Sequence, residues 1–557
     1  MWGESLGSHF SVKWGARKLQ HSVNSLDAIL PFEGSAAPIS EEQLSKALSK
    51  IRRKGKLDHY GVSVAAMLMV FRARPEAVTR LLSTSLGSAP AMAQLEVKGL
   101  VLGKVSAIAK VEETRAVLPL PAVMQVMDSV LLLACQGWVD AALPEVPECF
   151  VGARPRTQCL DIARGLQSVI EKGIDNFGQS AIAQADIERY YDSLPSLRIA
   201  RWLGAHGVPV EMAACLLRHQ MLPKVTLCAG AAEAIVTGRC EGGLTGSRVA
   251  GLFGRIPVES TMAERRLVWR ARGFQADDHV LCVCSYVDNL FSASGSLHGA
   301  ISILDDFEAQ LERNWGLRIK PSSRSCMAAA GTGPEELPEK WPRVHEFAAL
   351  GHTLQDTGSI RACWQNTRAA MWRGFWANPG SKAARHLTMP QRLRLLDRAV
   401  LPQMDFRSSR WPPQRRIADE VDILQRRMVA TIMRVPPRPG EEPACYFRRR
   451  GRAAAAECKK QGVWSRRWFW RVLDWQDHLD RPRNGQSWAA KLSRYRDREW
   501  FIQRRASLLS SGSSAGACLA GRTDTRACRG MVQTRWHDGV EFARRTVLPP
   551  VVFATQS

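Results

Sequence analysis

The stretch "CVCSYVDNLFSAS", residues 282–294, constrains the fold more than any other part of the chain. An apolar run, a short polar interruption and a second half-apolar run predict strand, tight turn, strand, with the Asp288 carboxylate at the tip. A second apolar strand, "SAIAQAD" over 180–186, also ends on an aspartate, Asp186, and leads into the helix start "IERYYDSL". A fold that brings these strand ends together would place two carboxylates side by side. Such a pair suits a hard dication, because Mg²⁺ prefers carboxylate oxygen. Each aspartate also has an ordinary reading: Asp186 as a helix N-cap and Asp288 as a turn residue.

The pattern around these strands predicts an α+β chain. Residues 1–37 read as a flexible lead-in. "PISEEQLSKALSK" predicts a helix opened by a capping box of Ser40 and Gln43. Residues 60–95 read as helical, 96–121 as a β-hairpin, and 122–143 and 157–173 as helices. Residues 195–237 read as mainly helical. "GRCEGGLTGSRVAGLFGRIPVE" is a Gly-rich loop feeding a helix. A helix over 297–316 is stopped by Gly316, "LRIKPSSRSCMA" is a strand, and 347–359 is a hairpin; the remainder is helical. No internal repeat, signal-peptide core or membrane-spanning apolar run is read from the sequence, so no membrane partner is expected. The 14 cysteines show no zinc or disulfide spacing and read as reduced thiols of an intracellular protein.

Charge divides the chain. Its 557 residues carry 77 Lys+Arg against 53 Asp+Glu, a net +24. Residues 1–360 hold 38 basic and 37 acidic side chains, and residues 361–557 hold 39 and 16. Positive charge concentrated in this way attracts a polyanion, most often nucleic acid. In "RRWFWRVLDWQDHLDRPR" (466–483) and "RYRDREWFIQRR" (494–505), Arg and Trp interleave at helical spacing. Arg466, Arg467 and Trp468 are the candidate nucleic-acid contacts there, and a Trp-anchored bundle with a solvated Arg face is the plainer reading.

Six pieces then fall in one order: the basic hairpin, "QADIERYYDSL", "GGLTGSRVAG", "YVDNL", "WGLRIKPSSRS" and "LGHTLQDTGS". Over about residues 38–360 this order resembles the reverse transcriptases of non-LTR retrotransposons. The resemblance implies a right-hand polymerase of fingers, palm and thumb with an antiparallel palm sheet. The fingers and start of the palm would occupy 38–180, the palm 181–360, a helical thumb 361–435, and a basic, mainly helical connector 436–557. It implies RNA-templated DNA synthesis from an RNA template, a DNA primer or target and deoxynucleoside triphosphates, by two-metal nucleotidyl transfer with Mg²⁺, or Mn²⁺. Asp186 and Asp288 would hold the ions, assisted by the Ile187 carbonyl and Asn289. Tyr191 would exclude a 2′-hydroxyl, or else be a core aromatic. Thr245, where the family has Gln, and Gly246 would approach the nucleotide. Lys104 and Arg115 would reach the triphosphate, with Lys110 competing for the Lys104 role. Arg154 and Arg156 would contact the template, and Lys320 falls in the fourth palm motif, where a proton donor is conceivable. The family places such proteins in the nucleus. Neither its N-terminal endonuclease nor a ribonuclease H is seen, so the chain reads as an element fragment or a polymerase-only product; its oligomeric state is not legible.

The family's hairpin carries two adjacent aspartates, and here the second is Asn289. An amide oxygen can ligate Mg²⁺ but brings no charge. That predicts weaker metal affinity or a shift towards Mn²⁺. It also raises the alternative of a catalytically weakened or inactive nucleic-acid-binding relic.

Overall fold

The computed structural model describes residues 2–14, 39–50, 57–103, 110–111, 114–152, 154, 157–175, 179–237, 239–276, 279–333, 335–411, 415–479 and 487–492. The chain is a mixed α+β protein. Helix α1 (Trp2–Lys13) is followed by α2 (Glu41–Lys50), α3 (Val64–Ala73), α4 (Pro75–Gly87) and the short α5 (Ala89–Ala93). Strands β1 (Glu96–Gly103) and β2 (Thr114–Val117) precede α6 (Ala122–Ala142), β3 (Cys149–Val151) and α7 (Cys159–Asp175). Then come β4 (Ala181–Asp186), α8 (Tyr190–Ser193), α9 (Ser196–Ala205), α10 (Val210–Met221), β5 (Lys224–Ala229), β6 (Ala232–Val236) and α11 (Arg248–Arg270). β7 (Phe274–Ala276), β8 (His279–Leu281), β9 (Val283–Tyr286) and β10 (Asn289–Ser294) lead to α12 (Leu297–Trp315), β11 (Ser325–Ala328), β12 (Glu346–Ala349) and β13 (His352–Gln355). The C-terminal part is helical: α13 (Arg361–Ala377), α14 (Met389–Leu395), α15 (Leu401–Ser408), α16 (Arg415–Met433), α17 (Pro443–Gln461) and α18 (Trp464–Leu479).

Local chemistry sets the boundaries. At α2 the Ser40 and Gln43 side chains and backbones cap each other reciprocally, at 3.0 and 3.2 Å. α12 starts on Ser296, whose hydroxyl accepts from Gly299 N, and stops where Gly316 takes φ 71. The hairpin of β1 and β2 forms as the sequence predicts, pairing Leu100 with Val117 and Gly103 with Thr114.

Two sheets organise the first part of the chain. The larger has the order β11-β4-β10-β9-β3. Along β4, Ala181, Ala183 and Ala185 belong to the cluster that includes α12, whereas Ile182 lies in the cluster on the opposite face, with Leu166 and Val169 of α7. Small side chains on one face let a helix approach the sheet closely, and each large apolar side chain buried on the other contributes roughly 1.5–3 kcal/mol. The second sheet, β2-β1-β5-β6, is covered on one side by α1.

Three expectations change. Residues 2–13 are not a loose lead-in but a helix, and Leu6, Phe10 and Trp14 are buried against the second sheet; residues 15–38 lie outside the described residues. The segment 195–237 ends in a hairpin, β5 and β6, turning at Gly230 (φ 64). "VTLCA" and "AEAIV" on either side of that glycine carry the strand pattern. Among the described residues one helix, α6, is long and apolar enough to cross a membrane by length and composition. Much of it is buried within the protein, including Asp128, which caps α11. The twelve described cysteines are free thiols, most of them buried.

Candidate active site

β4 and β10 run antiparallel, with Asn289 directly opposite Asp186. β9 and β10 form a two-residue hairpin, pairing Tyr286 with Asn289 and leaving Val287 and Asp288 as the turn. This register puts both aspartates at one end of the sheet. The Ile187 N–H donates to the Asp288 carbonyl at 2.9 Å, which fixes the two strand ends to each other. On the other side the Lys320 N–H donates to the Asp186 carbonyl at 2.9 Å, and the Asp186 N–H donates to the Ser323 hydroxyl at 2.9 Å. Asp186 is therefore held from both flanks by backbone and is not a helix N-cap; that place belongs to Arg189.

Both turns that flank the aspartates are strained. Val287 has φ 61 and Arg189 has φ 47. The left-handed region costs an L-residue roughly 1–2 kcal/mol, and a β-branched side chain is least suited to it. Strain of this kind persists only where the surrounding structure over-determines it, and it concentrates at functional sites.

The electrostatics are those of two neighbouring carboxyls whose burial outweighs the cations near them. Burial, and then the neighbouring Asp288, push the Asp186 carboxyl above its usual range, while Lys320 pulls it back. Burial pushes Asp288 up too, opposed by its own backbone hydrogen bond, by Asn289 and by Arg115. The Asn289 Nδ2 donates to Asp288 Oδ1 at 3.0 Å. The structure thus brings Asp186, Asp288, Asn289, Arg115 and Lys320 into one electrostatic neighbourhood. Among the described residues no group of three His, Cys, Asp or Glu side chains is arranged to hold a metal. The donor set that fits a dication is the two carboxylates, with an amide beside them.

A cleft of about 380 Å³ opens beside this centre. Tyr191 and Val287 line it, together with Val151, Leu252, Arg248 and Arg255. Its lining combines apolar side chains with two arginines, of which Arg255 is already paired with Glu259 at 2.6 Å. Tyr191 is half-buried, and burial and the Asp288 charge both raise its hydroxyl pKa. Tyr190, the buried neighbour, donates its hydroxyl to the Gly254 carbonyl and ties α8 to α11.

The Gly-rich loop is packed against α8. The Gly243 N–H donates to the Tyr191 carbonyl at 2.7 Å, and a Cβ on Gly242 (φ 83) would lie 3.0 Å from the Asp192 carbonyl. Gly246 takes φ 105, and Thr245 beside it is half-buried. The helix that follows is capped by Ser247 and by Asp128, which accepts from Arg248 N at 2.6 Å and Val249 N at 3.2 Å. Asp192 follows Tyr191 in α8. It is clasped by α1: Trp14 Nε1 donates to Asp192 Oδ1 at 2.9 Å, and Lys13 Nζ lies 2.6 Å from Oδ2. The Trp14 carbonyl in turn accepts from Cys240 N and Glu241 N. No signal in "SHFSVKW" announces this contact, because it depends on tertiary packing.

Other expected site residues fall elsewhere. The Arg154 guanidinium is taken up by Glu259 at 2.5 Å, Glu145 and the Leu143 carbonyl, so its charge is compensated within the protein rather than presented to a phosphate. Trp468 is buried in the C-terminal helical core; its Nε1 donates to the Ser408 carbonyl and its ring packs edge-on against Trp411. It cannot stack on a base. Trp464, Trp468, Val472 and Trp475 are all buried, at the spacing of one helix face, so the Trp pattern is a packing stripe. Arg467 pairs with Asp405 at 2.6 Å, and Arg466 is half-buried. Lys104, Arg156 and the segment 494–505 lie outside the described residues. No family model matches the chain, and a search of curated proteins finds no match.

Proposed function

We propose that the chain is a template-directed nucleotidyl transferase with a right-hand polymerase fold, copying RNA into DNA at Asp186 and Asp288. The observation that carries this reading is the cross-strand placement of Asp186 beside the Asp288 turn, with both carboxyls pushed up, first of all by burial. Two dications held by Asp186 and Asp288 would neutralise this pair and supply the charge that in-line phosphoryl transfer needs. Arg115 sits where it acts electrostatically on Asp288, which suits contact with a triphosphate. Tyr191 lines the neighbouring cleft and would crowd a 2′-hydroxyl.

The test is primer extension on an RNA template with Mg²⁺ and, separately, Mn²⁺. Extension with deoxynucleotides, abolished in Asp186→Asn and in Asp288→Asn, supports the reading. Folded wild-type protein that extends no primer with either ion refutes it. Asn289 favours one second reading, a palm that holds nucleic acid without copying it. That reading predicts salt-sensitive RNA binding unchanged by Asp186→Asn.

A further inference from the structure

α13, unlike α18, presents an open basic surface with an indole on it. α13 buries Cys363, Trp364, Met371 and Phe375 in the C-terminal helical core, and Ala362 and Thr367 are buried beside them. Its other face carries Arg361, Arg368 and Arg373, all exposed. On the same face Trp372 stacks on Trp376, with ring centroids 6.1 Å apart and planes 17° apart, and Trp376 is 56% exposed. The chain then turns through Gly380, packed against the Trp376 ring, and presents Lys382 and Arg385 to solvent.

This segment supplies no compensating charge of its own. Residues 361–396 contain seven Lys+Arg and no Asp or Glu. Only Arg392 of the seven is buried, donating to the Pro379 and Ile432 carbonyls. Like charges crowd the edges of the patch: Arg385 and Arg434 lie close enough to depress Arg392 further after burial has done so, and Arg373 does the same to Arg407. An acidic protein would meet the charges but leave the ring stack unused. A membrane surface would need a broad apolar face to insert, and the apolar face of α13 is committed to the core. Single-stranded nucleic acid offers both features, phosphates for Arg and Lys and open base faces for an exposed indole.

We propose that the outer face of α13 and the turn after it bind single-stranded nucleic acid, with phosphates on Arg368, Arg373, Lys382 and Arg385 and an unpaired base stacked on Trp376. The choice of nucleic acid as partner class rests on the polymerase reading; the surface itself does not depend on catalysis. The helix from Arg361 to Trp376 spans about 22 Å at 1.5 Å per residue, long enough to follow several nucleotides.

The probe is a fluorescein-labelled 20-nucleotide oligouridylate, titrated by anisotropy over a range of salt concentrations against full-length protein carrying Asp186→Asn. Trp376→Ala is expected to weaken binding about tenfold, the effect of losing one base–aromatic stack. Replacing Arg368, Arg373, Lys382 and Arg385 by Gln is expected to reduce the salt slope by about 0.7 per charge removed. Both variants alter exposed side chains, and unchanged thermal midpoints verify that they fold. Unchanged affinity and salt slope in both overturn the proposal. So does loss of binding to phosphatidylserine vesicles with RNA binding intact, which would make the patch a membrane contact. Because the probe is read without turnover, RNA binding through the patch by a protein that extends no primer would sink the catalytic reading alone.

Discussion

Asp192 and Trp14 provide the sharpest test of how the site is built. Trp14→Phe keeps an aromatic ring in the buried position but removes the N–H that donates to Asp192 Oδ1 at 2.9 Å. A hydrogen bond to a charged acceptor contributes about 1.5–3 kcal/mol. Asp192 is 24% exposed, and Lys13 still pairs with it, so the lower end, about 1.5 kcal/mol, is the relevant figure. A chain of this size need not unfold in two states, so a local readout is preferable. Cys240 N and Glu241 N donate to the Trp14 carbonyl, and Gly243 N donates to the Tyr191 carbonyl. Hydrogen exchange of these amides reports opening of the clasp. A loss of about 1.5 kcal/mol should speed their exchange roughly tenfold. Asp192→Ala should speed the same amides, and the double variant should show less than the sum, with a coupling of about 1 kcal/mol, because both changes remove one bond. Strict additivity, or faster exchange spread evenly over the second sheet, would refute the idea that this contact fixes the Gly-rich loop beneath Tyr191.

Two further outcomes follow from buried groups. His352 is fully buried and accepts from Arg410 Nε at 3.1 Å; burial, and then Arg410 and Arg407, hold its pKa well below the ordinary value. Its unfolded-state pKa is near 6.5, so the stability from keeping it neutral is present above that pH and is lost as pH falls below it, by up to about 1.4 kcal/mol per pH unit. His352→Gln should flatten the fall in thermal midpoint between about pH 7 and 5.5, and an unchanged slope would contradict this. Trp468→Ala should destabilise the helical core by about 3–5 kcal/mol, whereas Arg467→Ala should cost less, because Arg467 is 47% exposed and Arg471 still pairs with Asp405 at 3.2 Å; thermal midpoints read the difference, and RNA affinity measured on folded protein should change in neither.

The parts of the fold that sequence made legible are those with local causes. Ser40 and Gln43, Gly316, and the strand–turn–strand of 283–294 each rest on neighbours within a few residues. The pairing of Asp186 with the Asp288 turn was reachable because two strands ending on carboxylates pose an obvious question. What could not be read was long-range. Nothing near Trp14 says that its indole will meet Asp192, and nothing near Arg154 says that Glu259 will absorb its charge. The Arg/Trp interleaving of 464–475 and of 368–376 looks alike in sequence. Packing decides that the first is core and the second is surface: Trp468 is 2% exposed and Trp376 is 56%. An indole on an Arg-rich helix is therefore open to a partner only when the opposite face of that helix supplies the core.

Asn289 links the geometry of the hairpin to the metal question. Its position opposite Asp186, with its amide donating to Asp288 at 3.0 Å, makes it a neutral spacer between two carboxylates whose pKa values are already raised. Asn289→Asp would replace that donor with a third negative charge. At the cross-strand separation of about 5 Å from Asp186 and an effective dielectric near 20, the added repulsion with Asp186 is worth roughly 3 kcal/mol, less where solvent screens the half-buried groups. In chelator, the variant should melt below wild type, and lowering the pH should recover part of the loss, because protonating a raised carboxyl relieves the repulsion. With Mg²⁺ the order should reverse: the same charge that destabilises the empty site strengthens attraction for a dication, and stability then rises with the logarithm of metal over its dissociation constant. If the variant melts with wild type in chelator and gains no more than wild type from Mg²⁺, Asn289 does not face the carboxylate pair in the way the register requires, and the two-carboxylate centre loses its main structural support.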